Sequence, residues 1–290
     1  HHALALAAAA AGKHLLCEKP FAVDANQAQA MCDAVERAGV VHLLATEFRY
    51  SPANALLAQV VRSGKIGDPI DAQFALDVPF VASSDAGVPQ WWRDDEQAGG
   101  WLGAWGSHAI DQIRTTLGEI ESVSAFLCIR DDRLAGADDG FNALFRTSSG
   151  ASVTMRSCAR SHAFASSTIV VGSDATAVLE NDAVTLHTAD GGQLLEVPKA
   201  LEVLPPNPPP TEGLETAYEL GHAAGTDFGP FTRLGEVMLG LIEGRDVSAW
   251  PAPATFYDGL ACQRVMDAIR RSSARGGVLE SLKTQESASM

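Results

Sequence analysis

Basic side chains are scarce in this chain. Lys and Arg together number 21 against 36 Asp and Glu over 290 residues, a formal charge of −15. An acidic surface repels phosphate backbones and anionic lipid heads, so neither a nucleic acid nor a membrane surface is expected as partner; a local basic pocket remains open. Cysteine is also sparse: five residues, at 17, 32, 128, 158 and 262, with no C-x-x-C pair. That excludes a secreted disulfide framework or a cysteine zinc site and points to a reducing, cytoplasmic setting with no metal. No apolar run approaches the roughly 20 residues of a membrane helix. Ala3 to Ala11 has the look of a signal-peptide core but lacks a basic flank and an initiating Met, and reads instead as a helix leading into a strand. The chain opens at His1 rather than Met, so its natural beginning is expected upstream. There is no internal repeat.

What is present is enough to fold: 46% of residues are hydrophobic and 20% charged. The Ala/Leu helix closes at Gly12 and is followed by a short apolar strand, His14 to Cys17. A second helix, Ala25 to Ala38, closes at Gly39 and leads to a second buried strand, Val40 to Ala45. This alternation is the grammar of a parallel sheet with crossover helices, and it resembles the second half of a doubly wound domain. A helix is expected over Ala53 to Arg62. From Pro69 the pattern turns to short strands: Ile70–Val78, Ser122–Ile129, Phe141–Arg146, Ser152–Arg156, Thr168–Val171 and Ala177–Leu179, a mostly antiparallel meander. One helix interrupts it at Ser107 to Leu117, with Ala109, Ile110, Ile113 and Leu117 on one face. Pro205 to Pro210 reads as a stiff surface loop, helices return at Phe231–Glu243 and Asp258–Ser272, and the tail from Thr284 is polar.

Three segments carry chemistry. Glu18-Lys19-Pro20 leaves a presumed parallel strand at its carboxyl end, where open α/β sheets bind ligands; the alternative is a surface ion pair before a turn. The glycine-rich run Gly99 to Asp111 holds His108 at the expected start of a helix, with Ser107 or Gly106 as cap. There the helix dipole would favour a neutral imidazole, the form a base needs, and Asp111 would push the other way. Glu47-Phe48-Arg49-Tyr50-Ser51-Pro52 follows the second strand; Arg49 can fork onto a carboxylate, phosphate or polyol, or tie two domains by a salt bridge. In a softer candidate, Trp91-Trp92-Arg93, Trp92 and Arg93 can stack on a ring or reach a phosphate, or simply pack.

These residues resemble the Gfo/Idh/MocA family of nicotinamide-dependent oxidoreductases. The likeness runs from His1 through Ala11-Gly12-Lys13-His14-Leu15-Leu16-Cys17-Glu18-Lys19-Pro20, an R-x-x-P at Arg49 and Pro52, Ser63-Gly64-Lys65-Ile66-Gly67, a G-x-H-x-x-D at Gly106, His108 and Asp111, and Glu243-Gly244-Arg245 to Asp258-Gly259. Two departures stand out. The family's opening strand and G-x-G-x-x-G turn have no counterpart in the chain, and the Asp of its D-x-G-x-H is Ala104.

The resemblance implies an α/β chain: the C-terminal part of a Rossmann-like doubly wound domain (1–48), then an α+β domain with a large, mostly antiparallel open-faced sheet for substrate and oligomerisation (49–290). It implies hydride transfer between a sugar, polyol or cyclitol and NAD or NADP. His108 would be general acid/base and Lys19 its helper on the same oxygen, with Asp111 standing in for the lost Asp. Glu18, Lys19, Pro20, Arg49, Trp92 and Arg93 would face the cofactor. The tryptophans at 91, 92, 101 and 105 would wall off water. A homodimer or homotetramer paired through the sheet is expected. Two other readings compete: a non-catalytic ligand-binding or scaffolding homologue, and a lyase or glycosidase using NAD transiently.

Overall fold

The computed structural model describes residues 1–82, 87–130, 134–203, 212–216, 219–220 and 225–282. The Pro205–Pro210 loop and the tail from Thr284 lie outside them. Alanine and leucine make α1 (His2–Ala10). It feeds β1 (Leu15–Cys17). Asp24 starts α2 (Ala25–Ala38) by accepting the Gln27 N–H at 2.8 Å, and Gly39 ends it in the left-handed conformation that costs glycine nothing. β2 (His42–Leu44) then pairs in parallel with β1. A single 3₁₀ turn, Glu47–Tyr50, leads into α3 (Pro52–Arg62), whose first residue is the proline that helix starts accept.

The meander is a nine-stranded sheet. Its strands are β3 (Pro69–Asp77), β4 (Ile120–Cys128), β5 (Gly140–Thr147), β6 (Ser152–Cys158), β7 (Ala165–Gly172), β8 (Thr176–Glu180), β9 (Ala183–Thr188), β10 (Gly191–Leu194) and β11 (Glu280–Ser281). Their order is β10-β9-β8-β7-β3-β6-β5-β4-β11. Every pairing is antiparallel except β3 with β6. The strands expected from the pattern are all present, most of them a residue or more longer; β9, β10 and β11 are additional. α4 (Ser107–Leu117), α5 (Phe228–Ile242) and α6 (Phe256–Ala274) complete the described helices of regular length.

One face of the sheet is dry. Phe74, Leu76, Phe141, Phe145, Val153 and Met155 pack there against Leu57, Val60, Ile110, Ile113, Val265 and Ile269 of α3, α4 and α6. Each such side chain contributes roughly 1.5–3 kcal/mol through burial. The opposite face stays open, with Phe126 and Leu144 more than half exposed. A second core joins α1, α2 and β1 to the start of α6 through Phe21 and Phe256, whose rings meet at 4.8 Å. Gly259 permits this: a Cβ there would fall 2.6 Å from the Phe21 ring. The two-stranded unit is thereby fastened to the large sheet.

Candidate active site

β1 and β2 run in parallel, so their carboxyl ends open at one edge, and Glu18-Lys19 and Thr46-Glu47 emerge there side by side. Lys19 reaches inward. Its Nζ donates to the Ala104 carbonyl at 2.9 Å. Glu18 stays at the surface, its carboxylate accepting the Lys19 N–H at 3.3 Å. Pro20 is half-buried, joined to Lys19 by a cis peptide.

The glycine-rich run does not end where α4 begins. The chain is already helical at Gly100, widens into a π turn over Leu102–Gly106 and continues without a break into α4. Asp138 starts this run, its carboxylate accepting the Leu102 N–H at 2.8 Å. His108 therefore lies about two turns inside a helix, and Gly106 and Ser107 have helical dihedrals rather than cap geometry. The expected dipole effect on His108 is corrected accordingly, since it falls off within the first turn. Burial, and then the Lys19 ammonium, push the imidazole well below its ordinary value and keep it neutral. Glycines allow the tight wrapping: a Cβ on Gly106 would sit 2.7 Å from Leu102 Cδ1.

Lys19 and His108 are thus brought together, 89 positions apart in sequence, by the two strand ends and the π turn. Burial lowers Lys19, while Glu47, Glu18 and Asp227 pull it back in part. Glu47, which sequence reasoning passed over in favour of Arg49, is the third member. Its carboxyl is buried 3.9 Å from His108 Nε2, and burial pushes it up to about 7 against the opposing pull of its own backbone and of Lys19. Thr46 Oγ1, Glu47 Oε2 and His108 Nδ1 are buried with no hydrogen-bond partner among the described residues. The Phe48 ring packs at 4.7 Å and the Trp105 ring at 5.9 Å from the imidazole.

The remaining expected site residues do not join Lys19 and His108, although Arg49 and Asp111 line the same cleft as His108. Arg49 is fully engaged: it forks onto Asp111 at 2.6 and 2.7 Å and also binds Asp258 Oδ1 at 2.9 Å and the Ala252 carbonyl at 3.0 Å. Asp111 is turned into this clamp, away from any hydrogen bond to His108, because Arg49 and Arg114 supply its countercharges. Burial pushes Asp258 up, yet Arg49, the Thr255 N–H and Arg114 outweigh it and hold the carboxyl at about 2. Trp92 is core, with its ring 5.3 Å from Trp101, and Arg93 is exposed. Of the four tryptophans, only Trp105 borders His108. A cleft of about 830 Å³ opens beside His108, lined by Phe48, Arg49, Gln112 and the 248–253 loop; Lys19 and Glu47 are not in its wall.

Two family models match the chain: an oxidoreductase family NAD-binding Rossmann fold over residues 1–46 and a GFO/IDH/MocA C-terminal domain over residues 55–178. The chain belongs to the Gfo/Idh/MocA family. Among curated relatives it is 36% identical to levoglucosan dehydrogenase of Pseudarthrobacter phenanthrenivorans over 129 residues, 44% of this chain and 33% of the relative. It is 32% identical to D-apiose dehydrogenase of Paraburkholderia graminis over 138 residues, 48% and 36% of the two chains. The chain thus spans only about a third of the length of these relatives. The fold is shared with a levoglucosan dehydrogenase solved with NADH, at a TM-score of 0.77 and 24% identity over 98% of this chain and 77% of that one. It is also shared with an oxidoreductase domain protein from Kribbella flavida, at 0.76 and 26% over 98% and 78%. No described helix is long and apolar enough to cross a membrane.

Proposed function

We propose that this protein is an NAD- or NADP-dependent dehydrogenase acting on a CH–OH group of a sugar, polyol or cyclitol. The observation that carries the reading is the meeting of a buried ammonium and a buried neutral imidazole at the carboxyl edge of a parallel strand pair. The residues present suit the nicotinamide end of the cofactor: Lys19 and three unpartnered buried polar atoms stand at the edge where such sheets take dinucleotides. When bound, the cofactor supplies the hydride acceptor. The chain does the rest. His108, held neutral, takes the hydroxyl proton, and Lys19 donates to the same oxygen as negative charge develops on it. Phe48 and Trp105 exclude water from the ring. Five free thiols agree with a reducing, cytoplasmic location. The open sheet face, with Phe126 and Leu144 uncovered, suits pairing into a homodimer or homotetramer.

His108→Ala should lower turnover about 10²–10⁴-fold, and Lys19→Met should impair it as well. The assay is nicotinamide absorbance with a panel of D-xylose, levoglucosan and myo-inositol. Unchanged rates in either variant would remove that residue from the reaction. A second reading, a non-catalytic sugar-binding homologue, draws on Ala104 and on the cleft beside His108. It expects sugar binding without any change in nicotinamide absorbance.

A further inference from the structure

A buried imidazole needs something to fix its ring and to share its proton. Ala104, one turn earlier, offers only its carbonyl, and Lys19 Nζ takes that. Asp111 is held by Arg49. What remains is Glu47, with Oε1 3.9 Å from His108 Nε2 and both side chains 4% exposed. Glu47 Oε2 and His108 Nδ1 have no other partner among the described residues. A buried polar atom left unpaired is destabilising, so two such atoms on neighbouring groups point to a working site rather than a packing one. The turn carrying Glu47 is also rigid. Arg49, two residues on, pins it to α4 and α6, while Tyr50 packs with Leu234 and Val237 of α5.

We propose that Glu47 is the carboxylate partner of His108, orienting the ring and receiving its proton in the dehydrogenase reaction, an inference that rests on that functional reading. Nδ1 is buried out of a substrate's reach, so Nε2, the nitrogen facing Glu47, is also the one that meets the substrate hydroxyl. The hydroxyl proton goes to Nε2 while the C–H electron pair leaves as hydride, for which a bound nicotinamide would be the acceptor. Nε2 then hands that proton to the Glu47 carboxylate, so the imidazole ends neutral and the carboxyl protonated. Glu47 gives that proton to water after the ketone departs; reduction runs the same path backwards. A side-chain rotation that closes 3.9 Å to roughly 2.8 Å makes the hydrogen bond. Around Glu47 stand Lys19 and Glu18 from the end of β1, His108 from α4 and Asp227 at the start of α5. With its carboxyl at about 7, Glu47 can both take and return a proton near neutrality.

The test compares the native protein with Glu47→Gln and Glu47→Asp. Side-chain ¹⁵N NMR of His108, recorded across pH without substrate, should show an inflection at about pH 7 as Glu47 titrates. Glu47→Gln should erase that inflection and Glu47→Asp should keep one. In turnover, Glu47→Gln should lose about 10²-fold in kcat with KM little changed, and lose the same inflection from its pH profile. A His108 titration identical in native protein and Glu47→Gln overturns the pairing. If the native protein oxidises none of the sugars, the functional reading falls, while the NMR titration still decides whether Glu47 and His108 share a proton.

Discussion

The substitution Arg49→Met tests how firmly the site is held. Arg49 and Asp111 are a forked, almost fully buried pair, with side chains 6% and 3% exposed. Removing one partner of such a pair costs about 3–5 kcal/mol, because the other charge is left buried. Here the low end applies: Arg114 Nη1 stands 4.0 Å from Asp111 and 3.3 Å from Asp258, and takes over part of the task. A loss of about 3 kcal/mol corresponds to a fall in Tm of roughly 6–12 °C for a chain near this size. The acid side of the stability curve gives a second reading. Asp258 has its carboxyl depressed from 3.8 to about 2, so its stabilisation is fully present above about pH 4 and is lost as pH falls toward 2. That shift amounts to roughly 2 kcal/mol in the native protein and should shrink in Arg49→Met. The assay is thermal unfolding followed by circular dichroism between pH 7 and pH 2. A variant that melts within a degree or two of the native protein, with the same acid dependence, would refute the claim that this cluster fastens the turn bearing Glu47.

Two further outcomes are expected. Asp138 is pushed up to about 7, burial outweighing its hydrogen bonds and the charge of Arg270. A raised carboxyl makes the folded state dearer as pH rises from about 4 to about 7, so Asp138→Asn should flatten the stability profile over that window; an unchanged slope in urea unfolding would contradict it. Gly103→Ala would drive a Cβ into the Ala98 carbonyl, so it should destabilise by about 1–3 kcal/mol and disturb the π turn. A native-like melting temperature would show that the turn can widen freely.

Much of this architecture was readable from residue order. The helix–glycine–strand rhythm of the first fifty residues became α1, β1, α2 and β2, and the apolar face of Ala109, Ile110, Ile113 and Leu117 became α4 at its expected bounds. The π turn was not, because four glycines in eight residues speak for loop by propensity; their real cause is close packing against Ala98, Asp138 and Leu102. Arg49 drew notice as a possible anion fork, and both of its readings were open; the structure has the ion pair, with Asp111 and Asp258 as partners. Glu47 went unnoticed because a glutamate before a turn looks solvated. Its burial arises only when α5 covers the 3₁₀ turn from nearly 200 residues away. The clue available was position: it leaves β2 as Lys19 leaves β1.

The place of β3 carries a consequence for how the molecule is assembled. This strand is made first yet lies in the middle, with β6 on one flank and β7 on the other. Without it, β4 to β6 and β7 to β10 are two separate ribbons with nothing to join them. During synthesis its edges wait unpaired until residues 152 to 172 have emerged. A lesion in β3 therefore would not fray a margin; it would cleave the sheet at its keystone.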